Sequence, residues 1–264
     1  MNAHFLTTAR IAAKAGAREL LARKDSFAVH EKAPKDLVTE ADIASQQAIS
    51  RVLLDAFPDH HFVGEEEGMD QFDRETLDSH GAVPTWIVDP LDGTVNYVHQ
   101  LQSYSVSIGM YHEGQLQLGV VYDPVCDELF WAQRDRGAFL NDTPIRASST
   151  KEIGDALIAC SFSPGVARDS DELTRFIGVL ENSRSMRRLG SAALNLCYVA
   201  SGRLDGYWAS SLKPWDVAGG AIILSEALGC IRNLAGNDFD VWKPQLVATG
   251  TPELNLGLRN CFAA

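Results

Sequence analysis

Leu6, Ala9, Ala13, Ala17 and Leu20 recur at helical spacing with Arg10, Lys14 and Arg18 between them, which predicts an amphipathic helix over residues 3–24. A loop containing Pro34 follows. Thr39-Glu40-Ala41-Asp42 then has the form of a capping box. Behind it Ile49, Val52, Leu53, Ala56 and Phe57 line one face of a second helix that stops at Pro58. The runs His61 to Val63 and Thr85 to Val88 predict short strands, each leading into an acidic cluster. From Tyr104 to Ala147 the period changes to two: Val106, Ile108 and Met110 alternate, His112-Glu113-Gly114 turns the chain, and Leu116 to Tyr122 returns it. With a further strand at 128–132 and a turn at Asn141-Asp142, this region predicts an antiparallel meander. Beyond it come a strand at 156–161, a helix near 171–180, helices at 191–201 and 217–228, and short strands at 204–208, 230–233 and 246–249.

Strands thus run consecutively before about residue 150 and alternate with helices after it, so the expectation is an α+β first part (1–150) and an α/β second part (151–264). No internal repeat or low-complexity linker separates them, so they are expected to share one body.

Composition narrows the function. Of the 264 residues 45% are hydrophobic and 22% charged, ordinary for a globular chain that buries a core without disulfides or a structural metal. Lys and Arg number 23 against 35 Asp and Glu, a net charge of −12. That balance excludes nucleic-acid binding through bulk charge and attraction to an anionic membrane. The uncharged run Gly93 to His112 is too polar to span a bilayer, and Arg10, Lys14 and Arg18 interrupt any N-terminal leader. The five cysteines lie more than thirty residues apart, which fits free thiols in a reducing cytoplasm rather than a disulfide framework or a zinc site.

Three acidic clusters carry the candidate chemistry: Gly64-Glu65-Glu66-Glu67-Gly68, Asp89-Pro90-Leu91-Asp92-Gly93-Thr94 and Trp215-Asp216-Val217-Ala218-Gly219-Gly220. In the second, Pro90 is expected to end the apolar strand Trp86-Ile87-Val88, and a turn brings Asp89 and Asp92 toward one point. A helix starting there would aim the N–H groups of Gly93 and Thr94 outward, as a phosphate requires, and hard oxygen ligands beside a phosphate imply Mg²⁺. Each cluster also has a plain structural reading. Asp89 and Asp92 could only end a strand and make a turn, Glu65 to Glu67 could be a solvated loop, Asp216 could be a helix N-cap, and Asp42 the acid of its capping box. Together, however, they supply the hard ligands a two-metal phosphatase needs.

In order and spacing these segments resemble the inositol monophosphatase family. The resemblance rests on Gly64-Glu65-Glu66, on Trp86 to Thr94 continuing as Val95-Asn96-Tyr97-Val98-His99, on Trp215 to Gly220, and on Asp36-Leu37-Val38-Thr39-Glu40-Ala41-Asp42. It implies a layered αβαβα sugar-phosphatase-type fold, a homodimer, sensitivity to lithium, and phosphomonoester hydrolysis with two or three Mg²⁺ ions. By the same resemblance Glu65, Asp89, the Leu91 carbonyl, Asp92 and Asp216 are metal ligands. Thr94 and Asp42, with Glu65, orient and deprotonate the attacking water. Gly93 and Thr94 meet the phosphate, and Asp92, Ser191 and Ala192 line the substrate pocket.

One departure bears on specificity. The family's inositol-contacting glutamate lies seven residues before the aspartate of the third cluster, Asp216, where this chain has Ala209. A site lacking that acceptor should discriminate less among polyols. Arg187 and Arg188 could reach a second anionic group or lie on the surface. The expected substrate is therefore a small phosphorylated polyol, inositol monophosphate first. Histidinol phosphate and sugar or nucleotide bisphosphates are alternatives, and a non-catalytic partner-binding role is a further one.

Overall fold

The structure, a computed structural model, describes residues 3–33, 36–66, 83–163 and 165–263. Helix α1 spans Ala3–Arg23. The loop expected at Pro34 lies outside the described residues; on either side of it run two antiparallel strands, β1 (Val29–Ala33) and β2 (Asp36–Thr39), too short to show a period in the sequence. Helix α2 follows at Glu40–Ala56. Then come β3 (His61–Gly64), β4 (Thr85–Asp92) and a single helical turn, α3 (Thr94–Val98).

The expected meander is present as β5 (Ser105–His112), β6 (Gln115–Asp123), β7 (Glu128–Gln133), β8 (Ala138–Leu140) and β9 (Thr143–Ile145), all paired antiparallel. With β3 and β4 they form a seven-stranded sheet in sequence order, parallel only at its β3–β4 edge.

The rest of the chain builds β10 (Leu157–Ser161), α4 (Asp171–Asn182), β11 (Ser185–Arg187), α5 (Ala192–Ala200), β12 (Gly206–Ala209), α6 (Pro214–Glu226), β13 (Cys230–Arg232), β14 (Leu246–Thr249) and α7 (Pro252–Asn260). Strand β11 was not apparent in the sequence, and α6 starts three residues earlier than its apolar pattern suggests, at Pro214. These strands make a five-stranded mixed sheet in the order β11-β10-β12-β14-β13.

The layers follow from which faces are apolar. Trp86 and Val88 of β4, Ile108 and Met110 of β5 and Leu118 and Val120 of β6 pack against Ala13, Leu20, Ile49 and Leu53 of α1 and α2. Residues of the opposite face, among them Ile87, Val121 and Phe130, join α5 and α6, whose far side meets Ala159, Tyr207 and Leu246 of the second sheet. The outer face of that sheet is closed by Val179 of α4 and by Leu254 and Leu258 of α7. The result is the layered αβαβα body. A strand covered on both faces shows no alternation, and every residue of β4 is buried accordingly. Among the described residues no helix is long and apolar enough to cross a membrane.

Helix α6 is apolar nearly all round because it is the middle layer. It reaches the first sheet through glycines. A Cβ on Gly119 of β6 would lie 2.3 Å from the Gly219 carbonyl oxygen, and one on Gly220 would lie 2.6 Å from Leu196 Cβ. The paired glycines after Asp216 are thus packing residues that let α6 sit close between α5 and the sheet. Gly119→Val should cost about 1–3 kcal/mol through overpacking against backbone that cannot yield. Urea unfolding checks this, and an unchanged midpoint would contradict the close approach.

Candidate active site

The site forms where β4, α2, α5 and α6 converge. Asp89 and Asp92 lie on β4 and are 2% and 7% exposed. Pro90 does not end the strand as expected. The pairing register with β5 shifts between Asp89, opposite Ser107, and Asp92, opposite Ser105. Proline's missing N–H falls in that irregularity, where no ladder bond is required. The Pro90 carbonyl accepts from Ser45 Oγ of α2 at 2.8 Å, and the Leu91 N–H donates to Asp89 Oδ1 at 3.0 Å. Gly93 then takes φ 100°, a left-handed conformation that favours glycine, and starts α3.

Asp92 is tied across the molecule to the start of α5. The Ala192 and Ala193 N–H groups donate to its two oxygens at 3.0 and 2.8 Å, and the Ser191 and Ser105 hydroxyls also donate to it. Ser191 is at the same time the N-cap of α5, its Oγ accepting from the Leu194 N–H. Ser191 and Ala192 therefore stand beside Asp92.

Asp42 is the acid of a complete capping box, as its spacing suggested. Its Oδ2 accepts from the Thr39 N–H at 2.8 Å and Thr39 Oγ1 at 2.6 Å. Its Oδ1 faces the site and accepts from Thr94 Oγ1 at 3.2 Å, which also lies 3.1 Å from the Leu91 carbonyl. The structural and the chemical readings of Asp42 are thus compatible, one oxygen serving each.

Asp216 is not an N-cap. Lys213 occupies that position, Pro214 is the first helical residue, and Asp216 sits at the third, accepting the Lys213 N–H at 2.7 Å. Glu65 follows β3, its N–H bonded to the Val88 carbonyl at 3.2 Å, which ties the acidic loop to β4. The Glu66 N–H donates to Gln46 Oε1 of α2. Glu67 and Gly68 of the same cluster lie outside the described residues.

The electrostatics are those of acids crowded together. Burial pushes the Asp89 carboxyl well above the usual range, and repulsion from Glu65, Asp92 and Asp216 adds to it. Asp92 is also raised by burial, against the pull of its bonds from Ser191, Ala192 and Ala193. Burial pushes Asp216 up to about 8, opposed by the Lys213 N–H and reinforced by Asp92 and Glu65. Asp42 is raised by burial and pulled back by Thr39 and Thr94. Among the described residues no Lys or Arg forms an ion pair with Asp89, Asp92 or Asp216.

The donor set, carboxylates plus the Leu91 carbonyl, has the hard-oxygen chemistry of a divalent-cation site, and the uncompensated charge supplies the drive to bind one. In the present arrangement no three His, Cys, Asp or Glu side chains among the described residues form a ready-made cage. Asp92 and Asp216 are turned onto backbone N–H groups instead.

A cavity of about 200 Å³ opens beside Asp92 and Asp216, with Ser161, Phe162, Arg188 and Leu212 in its wall. Ala209 is fully buried in β12, opposite Ser161 and Leu246. A carboxylate does stand next to it, from another element. Glu172 of α4 accepts from Ser163 N at 3.1 Å, from Ser163 Oγ and from Ser210 Oγ. Burial would raise this carboxyl, but those donors outweigh it and hold it below the usual range. Glu172 was not apparent from the sequence, where Asp171-Glu172 reads only as an acidic first turn.

The five layers, with acids gathered at a strand irregularity and a helix start between the two sheets, define a sugar-phosphatase-type αβαβα fold. The chain belongs to the inositol monophosphatase family, whose sequence profile matches residues 2–260. It is 45% identical over 239 residues to inositol monophosphatase 3 of Solanum lycopersicum, covering 89% of this chain and 85% of that protein. It is 38% identical to the Nus factor SuhB of Pseudomonas aeruginosa, over 87% of this chain and 84% of the other. The crystal structure of the extragenic suppressor protein suhB from Bartonella henselae superposes with a TM-score of 0.86 at 32% identity, covering 97% of each chain.

The raised carboxyls fix a direction for stability. A carboxyl that holds its proton more tightly when folded contributes fully below its unfolded pKa of 3.8, and that contribution is lost as pH rises through its folded value of about 8 for Asp216. With a chelator present, the melting temperature should therefore fall as pH rises from 5 to 8.5, and Asp216→Asn should flatten the upper part of that fall. Thermal unfolding across this range checks the expectation, and a melting temperature independent of pH would refute the raised proton affinity of these buried carboxyls.

Proposed function

We propose that this chain is a Mg²⁺-dependent phosphatase of small phosphomonoesters, with inositol monophosphate as leading substrate. The observation that carries the reading is the trio Asp89, Asp92 and Asp216, buried or half-buried without a basic partner among the described residues; Glu65 lies close enough to add repulsion. Such a group is costly unless cations complete it. Glu65, Asp89, the Leu91 carbonyl, Asp92 and Asp216 would hold two or three ions. Bound there, Mg²⁺ lowers the pKa of a water and neutralises phosphate oxygens.

The chain's own groups then have distinct tasks. Thr94 Oγ1, bonded to Asp42 Oδ1, is positioned to orient a water and pass its proton toward that carboxylate, with Glu65 as the second acid at the site. The raised affinity of Asp42 for a proton suits it to accept one. The N–H groups of Gly93 and Thr94, at the turn into α3, are donors for the phosphate. Asp92, fixed by Ser191, Ala192 and Ala193, faces the substrate side of the pocket. In this reading residues 1–150 carry most of the ligands, while 151–264 bring Asp216 and the pocket wall. By the same family resemblance, this reading takes the chain as a homodimer acting in the cytoplasm on a small phosphorylated polyol, with lithium as inhibitor.

A second reading takes its support from the Pseudomonas relative named as a Nus factor: a role exercised through protein partners. The two readings separate on activity. Asp89→Asn and Asp216→Asn should each lower phosphate release from inositol 1-phosphate at saturating Mg²⁺ by at least about a hundredfold, as loss of a metal-site residue does. Chelation should abolish release and added Mg²⁺ restore it. Wild-type rates in both variants would overturn the phosphatase reading. A cellular defect fully rescued by Asp89→Asn would then favour the partner role.

A further inference from the structure

Antiparallel pairing sets the directly opposite side chains of β4 and β5 on shared faces. Val88 of β4 and Ile108 and Met110 of β5 turn toward α1 and α2, so Asp89 and, opposite it, Ser107 turn toward α6. Asp92 lies opposite Ser105 in the same way, across the irregularity at Pro90. Strand β5 therefore lays one hydroxyl against each aspartate of β4. A Cβ built on Gly219 would lie 2.8 Å from Ser107 Oγ, so this hydroxyl rests against α6 about one turn beyond Asp216.

The two hydroxyls are used differently. Ser105 Oγ donates to Asp92 Oδ2 at 3.4 Å and lies 3.4 Å from Ser191 Oγ. Ser107 is fully buried, and among the described residues its Oγ has no hydrogen-bond partner. Of the buried polar atoms in that state, it is the one set across a strand pair from an acid of the cluster. The closeness of Gly219 accounts for a small residue here but not for a hydroxyl. Alanine has nearly the same volume and would leave no buried donor unpaired. The two acids are also supported unequally. Asp92 receives two hydroxyls and two N–H groups, whereas Asp89 receives the Leu91 N–H at Oδ1.

We infer that Ser107 is a positioning residue of the cation site, its hydroxyl donating to the Asp89 carboxylate when that group ligates a cation and so fixing the ligand's orientation. This deepens the metal-dependent reading and rests on the cation-site part of it. Ligating carboxylates are themselves hydrogen-bonded, and loss of that support weakens metal affinity by about 10–100-fold. The unpaired hydroxyl is the cost of keeping the donor ready.

Stability and affinity should then move in opposite directions, which separates this role from ordinary packing. In Ser107→Ala with chelator present, the melting temperature should rise by about 2–4 °C, because an unpaired buried hydroxyl is removed. Binding of Mn²⁺ alone, a cation with the same preference for oxygen ligands as Mg²⁺, should weaken at least about tenfold by calorimetry in the same variant. The Mg²⁺ concentration for half-maximal phosphate release should rise by a similar factor. Wild-type Mn²⁺ affinity in Ser107→Ala would overturn the inference, since Asp89 would then need no such donor. A lower melting temperature with chelator present would also overturn it, since the hydroxyl would then serve the fold. If both shifts are seen but inositol 1-phosphate is not hydrolysed, the inference stands and the phosphatase reading falls. A wild-type protein that binds no Mn²⁺ overturns both.

Discussion

Like charges are held together here against their own repulsion, and the scaffold is arranged to make that possible. Asp89 and Asp92 are both almost fully buried on one strand, and Asp216 and Glu65 raise the cost further. No basic residue among those described neutralises the three aspartates. What holds them is geometry: a strand sandwiched on both faces, an irregularity that lets two acids three residues apart share one region, and two helix starts that bring backbone N–H groups to Asp92 and Asp216. Such donors reduce the repulsion without cancelling it, and a carboxylate left hungry for positive charge is a poor structural element but a suitable cation ligand.

The close glycine contacts belong to the same constraint. Asp216 can face Asp89 only if α6 lies against the first sheet, and α6 can lie there only because Gly119 and Gly219 meet without side chains. Asn96 does comparable work at the other end of the acidic strand, donating to the Ser103 and Leu189 carbonyls at 2.7 Å each and so joining the turn after Gly93 to the approach to α5. The motif residues that carry no charge thus hold the charged ones in place.

Much of this was legible in the chain because it is local. The capping box around Asp42, the meander from Tyr104 and the alternation of strand and helix after residue 150 each declare themselves over a few residues. The failures are also physical. Pro90 suggested a strand end because proline removes a ladder donor, but the pairing skips that position. Asp216 suggested an N-cap by type, whereas Pro214 at the first helical position was the better guide to register. Glu172 gave no signal at all, since its partners Ser163 and Ser210 are separated from it in sequence and meet it only when β10 and β12 pair.

The location of Glu172 bears on how a site on this fold can change its preferences. By the family resemblance an acceptor at position 209 would come from the strand itself. Here that position is a buried alanine, and the nearest carboxylate arrives from α4 with its oxygens already committed to two serines and a backbone N–H. The negative charge is kept near the wall but converted from a ligand contact into a brace. Bracing the end of β10 fixes Phe162, and a fixed aromatic face holds the Arg188 guanidinium, 5.3 Å from the ring centroid, in one orientation beside an acidic cleft. The clustered aspartates lie on β4 and α6, while the rest of the adjacent cavity's wall comes from the end of β10, the segment after β12 and the approach to α5. Phe162 and Leu212 of that wall make no hydrogen bond to Asp92 or Asp216, whereas the start of α5 holds Asp92 directly, so only the former can change without loosening the acids.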